Sequence, residues 1–450
     1  MYLKQLNMKT TMIVGFMLFA MFFGAGNLIF PPALGLQSGE HFWITILGFV
    51  ITGVGLPVIA VIVGSLSQGG YKDLLKNIHP AFGVIFMVVL YLVIGPFFAI
   101  PRTATVSYEM GILPIFDASW VALLVFSFLF FLVVFIISLY PNHIANNIGK
   151  YLTPILLTVM VIFIAGGMFA YFGNDVMVID NMIEDNFFGT GFTEGYLTLD
   201  AIAAMAFSVV VITALQRFGA STRKALLTNT IKTGFLAAAL LAVIYIALAW
   251  IGNRVALDTT TFDESTNLGT YVLTFVAGDV FGTFGTVLLG LVVLSACLTT
   301  AVGLIVAVSE YFNELFPRIP YKVYVVVWTL VSFGLANQGL NQVINTSVPV
   351  LYFIYPIAIS TLLLLLFTYF VKSPKLAIQL PIALVILMTL VTFVHRQGWV
   401  ELGFVESLPF YAAQLEWMPV AVIGYVIGYF VGSKRNPVDF GAAPEEAAVK

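Results

Sequence analysis

Apolar residues fall in twelve stretches, near residues 11–36, 42–66, 81–104, 119–140, 150–172, 196–216, 229–252, 284–310, 322–338, 345–371, 376–394 and 413–432, with polar residues gathered between them. Most reach the ~20 residues a helix needs to cross a bilayer. The pattern predicts an all-α polytopic membrane protein with twelve transmembrane helices. The first stretch breaks its own pattern: it reads Phe22-Phe-Gly-Ala-Gly-Asn-Leu-Ile-Phe-Pro-Pro32. Gly costs a helix ~1 kcal/mol and Pro ~3 relative to Ala. Backbone groups freed by a break cannot face lipid and must face protein, water or a ligand. The spacing therefore predicts a helix broken at membrane depth around Gly24–Asn27, the device by which many carriers build a binding site. The competing reading of the two glycines is a tight helix–helix contact.

Composition agrees: the chain is 60% hydrophobic and 9% charged, against about 25% charged in soluble domains, with a mean hydropathy of +1.03. One cysteine, Cys297, rules out an intrachain disulfide and a Cys-based metal site, and leaves a packing residue. Four His and few carboxylates within the spans leave little chemistry for an enzyme, and no cofactor is expected. A net charge of -3 gives no reason to expect nucleic acid. The first stretch is too long for a cleavable signal.

Loop charge sets the orientation. With the N-terminus inside, sixteen of the nineteen Lys and Arg fall on the inner side, and only Arg102, Arg254 and Arg396 fall outside. Both termini are therefore expected in the cytoplasm of a cell-membrane protein. Residues 173–195 form an acidic outer loop, either simply solvated or a funnel for cations. Residues 266–282 are expected to form a short outer helix over the mouth, and 437–450 a disordered cytoplasmic tail.

Residues 1–436 read as one transporter domain. Five spans is an odd number, so a repeat of spans 1–5 (residues 11–172) by spans 6–10 (196–371) must be inverted in the membrane. Spans 11 and 12 (376–432) are peripheral. Span 6 should then be broken as span 1 is. Its run from Thr198 to Ser208 is small and polar, and Ala206-Phe207-Ser208 is the expected place of unwinding. A continuous helix with a small packing face is the alternative.

Helix N-termini bind anions. The amides of Ala25, Gly26 and Asn27 suit a carboxylate, while the carbonyls from Ala20 to Phe23 suit an ammonium group or a metal cation. Such a site takes a zwitterion without a charged side chain. In span 8, Thr299 and Thr300 offer hydroxyl oxygens of the kind a hard cation prefers, although Thr in a helix often bonds its own chain. A proton carrier needs an ionisable group near the site. Asp200, Asp279, Glu109 and Glu310 all read as lying toward span ends, which favours Na+ over H+ as coupling ion.

Three runs carry a resemblance: Gly24–Pro32; Gly95-Pro-Phe-Phe-Ala-Ile-Pro-Arg-Thr-Ala-Thr-Val-Ser-Tyr108-Glu109; and the run from Thr198. They resemble the bacterial branched-chain amino acid:cation symporters over nearly the whole chain, and more distantly the leucine-transporter fold. The resemblance implies import of leucine, isoleucine or valine with Na+ or H+. It implies that Gly24, Ala25, Gly26 and Asn27 meet the substrate carboxylate, and that carbonyls near Phe22, Phe23, Ala206 and Phe207, beside Ser208, take the amine. The cation would lie between the carbonyls of Ala20, Phe23 and Ala296 and the hydroxyls of Thr299 and Thr300. The Arg that follows the Gly-x-Gly-Asn run in the leucine-transporter fold is absent; Ile29-Phe30 stand there. Arg102 is the alternative gate residue, or else an interfacial anchor. An aliphatic pocket separates single methylenes by only ~1–3 kcal/mol, so shared handling of the three substrates is expected. Gly424, Gly428 and Gly432 form a small-residue face that is either a contact of a weak homodimer or a packing surface for span 11; a monomer is equally consistent. The rival readings are an H+-coupled carrier of the same substrates and a carrier of another small solute on the same fold.

Overall fold

The computed structural model describes residues 8–67, 69–116, 119–140, 153–179, 183, 186–220, 222–257 and 266–432. The expected tail at 437–450, residues 141–152, which include the start of the fifth apolar stretch, and part of the expected acidic outer loop lie outside the described residues. What is described is helices joined by loops. Among the described residues, eight helical segments are long and apolar enough to cross a membrane, and four shorter apolar helices accompany them.

The first stretch is two helices, α1 (Met8–Phe22) and α2 (Ala25–Ser38). The ladder of α1 ends where the Phe23 amide donates to the Phe19 carbonyl at 2.8 Å. Gly24 is then extended, with φ -125° and ψ -161°. Its amide, whose helical partner would be the Ala20 carbonyl, donates instead to Asn27 Oδ1 at 2.9 Å. Asn27 thus makes the break and starts the next helix together, as side-chain oxygens at helix starts do. Pro31 and Pro32 lie inside α2; lacking N–H groups, they leave the Asn27 and Leu28 carbonyls without helical donors.

The second stretch runs as α3 (Phe42–Val50), a π-turn (Ile51–Gly55) and α4 (Leu56–Gly64), followed by the short α5 (Tyr71–Ile78). The third is α6 (Pro80–Leu92) and α7 (Ala99–Gly111), parted at Gly95, whose φ of -95° and ψ of -120° are not helical. This third interruption, at Gly95-Pro96, was not expected. Then come α8 (Trp120–Ser138), the least buried of the long apolar helices, and α9 (Thr153–Ala170).

The second predicted break is real but misplaced. Helix α11 (Asp200–Arg217) runs unbroken through Ala206, Phe207 and Ser208. The Ser208 hydroxyl is satisfied by the Met205 carbonyl at 2.8 Å, so small polar residues there do not disturb the ladder. The break lies about two to three turns earlier, in a 3-10 turn (Gly195–Thr198) closed by Leu199 at a left-handed φ of 69°. Before it stands α10 (Phe187–Glu194), inside the segment read as an outer loop. The glycines of α10 and of the turn after it are there for close approach. A Cβ on Gly191 would strike the Thr45 carbonyl oxygen, and one on Gly195 the Thr52 hydroxyl. Thr52 Oγ1 also donates to the Phe192 carbonyl at 2.8 Å, tying α10 to the second span.

Helix α12 (Arg223–Arg254) lies against α2. Gly35 meets the Ala249 carbonyl and Gly252 the Pro32 carbonyl, so each backbone touches the other with no side chain between. Helix α13 (Leu268–Leu315) turns at Gly282, φ 62°, dividing the expected outer helix from a long span. Its outer part covers α2, with Gly269 against the Ile29 carbonyl, and Thr270 Oγ1 donates to Glu109 at 2.8 Å. Helices α14 (Tyr321–Ala336), α15 (Leu340–Phe370), α16 (Leu376–Arg396) and α17 (Trp417–Val431) complete the chain. The glycine face of α17 is used within the chain: Gly424 faces Pro381, Gly428 faces Ala377 and Gly432 faces Pro374, on or just before α16.

Candidate functional site

The two breaks face each other. A Cβ built on Gly26 would lie 3.3 Å from Thr198 Cα and 3.0 Å from Arg102 Nη1. Between them lies a cavity walled by α1, α2, α7, α11, α13 and the 3-10 turn; Gly24, Gly26, Arg102, Asp200, Phe207 and Thr300 are among its lining residues.

Its floor is backbone. Ala25 and Gly26 open α2, and the first amides of a helix have no partner within it. They carry the positive end of the helix dipole. Asn27, 1% exposed, is held from both sides: it accepts from the Gly24 amide and donates through Nδ2 to Asp200 Oδ2 and to Tyr245 OH. Tyr245 OH, on α12, donates to Asp200 Oδ2 at 3.0 Å. Asp200 is the first residue of α11, so its carboxylate belongs to the second break as Asn27 belongs to the first.

The placement of Asp200 corrects the expectation that titratable groups stand away from the site. It is 3% exposed and lines the cavity. Arg102 is likewise no anchor at the membrane surface. It is 2% exposed, donates through Nη1 to the Leu197 carbonyl in the unwound turn, and lies 5.3 Å over the Phe30 ring.

Of the expected substrate residues, Phe22, Gly24, Ala25, Gly26, Asn27 and Phe207 line the cavity together. The rest do not. Phe23 stacks on Phe19, with ring centroids 5.1 Å apart. Ala206 and Ser208 are buried elsewhere along α11, Ser208 under Gly64.

Of the expected cation ligands, the Ala20 carbonyl has lost its Gly24 donor, as described. Thr300 Oγ1 is buried without a hydrogen-bond partner among the described residues, and it comes within 3.3 Å of a Cβ placed on Gly24. Thr299 Oγ1 donates to the Ala296 carbonyl at 2.8 Å, which leaves lone pairs on both oxygens.

Tyr245 and the Leu197 carbonyl were missed. A lone Tyr among nineteen in the chain carries no sequence signal. The Leu197 carbonyl becomes available only because Leu199 turns left-handed.

Helices broken opposite each other across a cavity with a few polar groups in its wall, inside an apolar bundle, are an architecture that transporters use, and solved structures share the fold. An inward-facing structure of Mhp1 superposes with a TM-score of 0.59 at 13% identity, over 93% of this chain and 90% of that one. A manganese transporter of Eremococcus coleocola gives a TM-score of 0.59 at 13% identity over 94% of each chain.

Sequence narrows the class further. The chain belongs to the family described as branched-chain amino acid transport protein, which matches residues 7–435. A protein of Staphylococcus saprophyticus named as a branched-chain amino acid carrier is 48% identical over 96% of this chain and 98% of its own length. One of Staphylococcus aureus with the same name is 46% identical over 96% of this chain and 99% of its own. The chain is thus a multi-pass membrane protein of a transporter family, not an enzyme.

Proposed function

We propose that the protein imports leucine, isoleucine and valine by alternating access, driven by Na+. The observation that carries this reading is the cavity between Gly26 and Thr198, where helix-start amides and freed carbonyls meet. Such a site suits a zwitterion, and the names of the relatives at 46–48% identity supply the substrate class. Twelve spans are proposed: α1–α2, α3–α4, α6–α7, α8, α9, α10–α11, α12, the inner part of α13, and α14 to α17. The first ten form two inverted repeats, the second opening at α10, and both termini are cytoplasmic, in keeping with the Lys and Arg bias of the loops. The buried, unpartnered Thr300 hydroxyl beside Gly24 supports a Na+ site there with the Ala20 carbonyl.

Coupling to H+ is the second reading, favoured by one observation: Asp200 puts a carboxylate in the cavity wall. Leucine uptake into proteoliposomes, with Na+ and H+ gradients imposed separately, tests both. Accumulation on a Na+ gradient alone is expected. Accumulation only on an H+ gradient would move the coupling to Asp200. No accumulation on either would overturn the carrier reading.

A further inference from the structure

Arg102 is among the largest fully buried side chains in the molecule. A guanidinium stays charged in any protein environment and carries five donors. Here Nη1 is used by the Leu197 carbonyl, while Nε and Nη2 are buried with no hydrogen-bond partner among the described residues. Leaving such donors unmade in a membrane protein is costly, and intramembrane charges mark functional sites. The group lies against the first turn of α2, with Nη1 3.0 Å from a Cβ placed on Gly26. Guanidinium and helix-start amides therefore present one positive surface to the cavity. A planar fork of donors matches a carboxylate in both geometry and charge.

The opposite sign is present too. Asp200 lines the same cavity, and its Oδ2 takes both hydrogen bonds, from Asn27 and Tyr245. An ionised carboxylate has further acceptor capacity. Arg102 and Asp200 are not among the ion pairs within 4.0 Å formed by the described residues, which join Lys72–Glu314, His395–Glu406 and Arg396–Glu416. An Arg guanidinium and an Asp carboxyl group that line one cavity without pairing with each other within 4.0 Å can each take one end of a ligand that carries both charges.

We propose that Arg102 and Asp200 are the charged poles of the amino-acid site: the Arg102 guanidinium receives the α-carboxylate beside the α2 amides, and the Asp200 carboxylate faces the α-ammonium. The assignment rests on the substrate reading above and deepens it. It makes the site selective for ligands that carry both charges, whatever their aliphatic side chain.

The test is displacement of radiolabelled leucine from purified full-length protein by leucinamide, which lacks the carboxylate, and by isocaproate, which lacks the ammonium. In the wild type both analogues should compete at least ~100-fold more weakly than leucine, because each leaves a buried polar group unpaired. Arg102→Met should bind leucine at least ~10-fold more weakly and lose discrimination against leucinamide, while still rejecting isocaproate. Asp200→Asn should do the reverse. Arg102→Lys should fall between wild type and Arg102→Met, which keeps the test open if Arg102→Met does not fold. A monodisperse Arg102→Met or Arg102→Lys protein with wild-type leucine affinity and wild-type rejection of leucinamide would overturn the assignment alone. A wild type that binds no leucine would overturn the substrate reading and the assignment with it.

Discussion

Asn27 donates a hydrogen bond to the carboxylate of Asp200, joining the helix that starts at one break to the helix that starts at the other. Tyr245 contacts both residues from α12. The two broken helices are therefore linked through side chains at the cavity.

Tyr245→Phe should show what that link contributes. It removes the hydroxyl that Asn27 and Asp200 share and leaves the carboxylate with one partner fewer. A buried group stripped of a partner costs about 1–3 kcal/mol. The melting temperature should fall and leucine uptake should drop. Unchanged values for both would mean that the three side chains are not coupled.

The two threonines of α13 should separate. Thr300 lines the cavity with its Oγ1 buried and without a hydrogen-bond partner among the described residues, whereas Thr299 is not among the lining residues. Thr300→Ala should raise the half-saturating Na+ concentration at least ~10-fold, the loss expected from one charge-assisted contact of about 1.5–3 kcal/mol. Thr299→Ala should have a smaller effect. Equal effects, or no change in Na+ dependence, would remove Thr300 from the cation site.

Glycine substitutions should sort by what they meet. A Cβ on Gly35 runs into the Ala249 carbonyl, so Gly35→Val must push α2 off α12. Overpacking of this kind costs about 1–3 kcal/mol or more, and the yield of monodisperse protein should fall. Gly303 in α13 has nothing within 4 Å of its Cβ position. Gly303→Ala should be neutral, or stabilising by up to ~1 kcal/mol. A Gly35→Val protein as stable as wild type would show that the α2–α12 contact is looser than described.

Orientation can be checked chemically. Gly173 is exposed, and Cys297 is buried. On a Cys297→Ala background, Gly173→Cys should react with an impermeant maleimide added outside intact cells. Reaction only in inside-out vesicles would reverse the orientation read from the loop charges.

These contrasts show what the sequence could and could not reveal. The break at Gly24 was legible because Gly, Asn and Pro concentrate where an apolar helix should be uniform. A separate helix ahead of the long span was legible because residues 266–282 are only semi-apolar and rich in glycine, and the kink falls at Gly282. The second break was predicted in existence and missed in place. Leu199 adopts a left-handed φ that nothing in its residue type announces, and Gly191 of α10 and Gly195 of the turn after it stand in a segment that looks like loop. Those glycines serve contacts with Thr45 and Thr52, distant in sequence and invisible to periodicity. Arg102 read as either a gate residue or an interfacial anchor because it stands at the end of the third apolar stretch, and the fold buries it against Phe30 and Leu197. The cavity's chemistry is tertiary; only its glycine-rich floor is local.

The central claim is that an amino acid binds between the two breaks, against Gly26. A leucine side chain at position 26 would start 3.0 Å from Arg102 Nη1 and 3.3 Å from Thr198 Cα, and would fill the space the ligand needs. The most direct measurement is equilibrium binding of radiolabelled leucine to purified wild type and Gly26→Leu, both shown to be monodisperse. Saturable binding to wild type and none to Gly26→Leu is the predicted result. Binding of wild-type affinity to Gly26→Leu would place the substrate elsewhere and contradict the account.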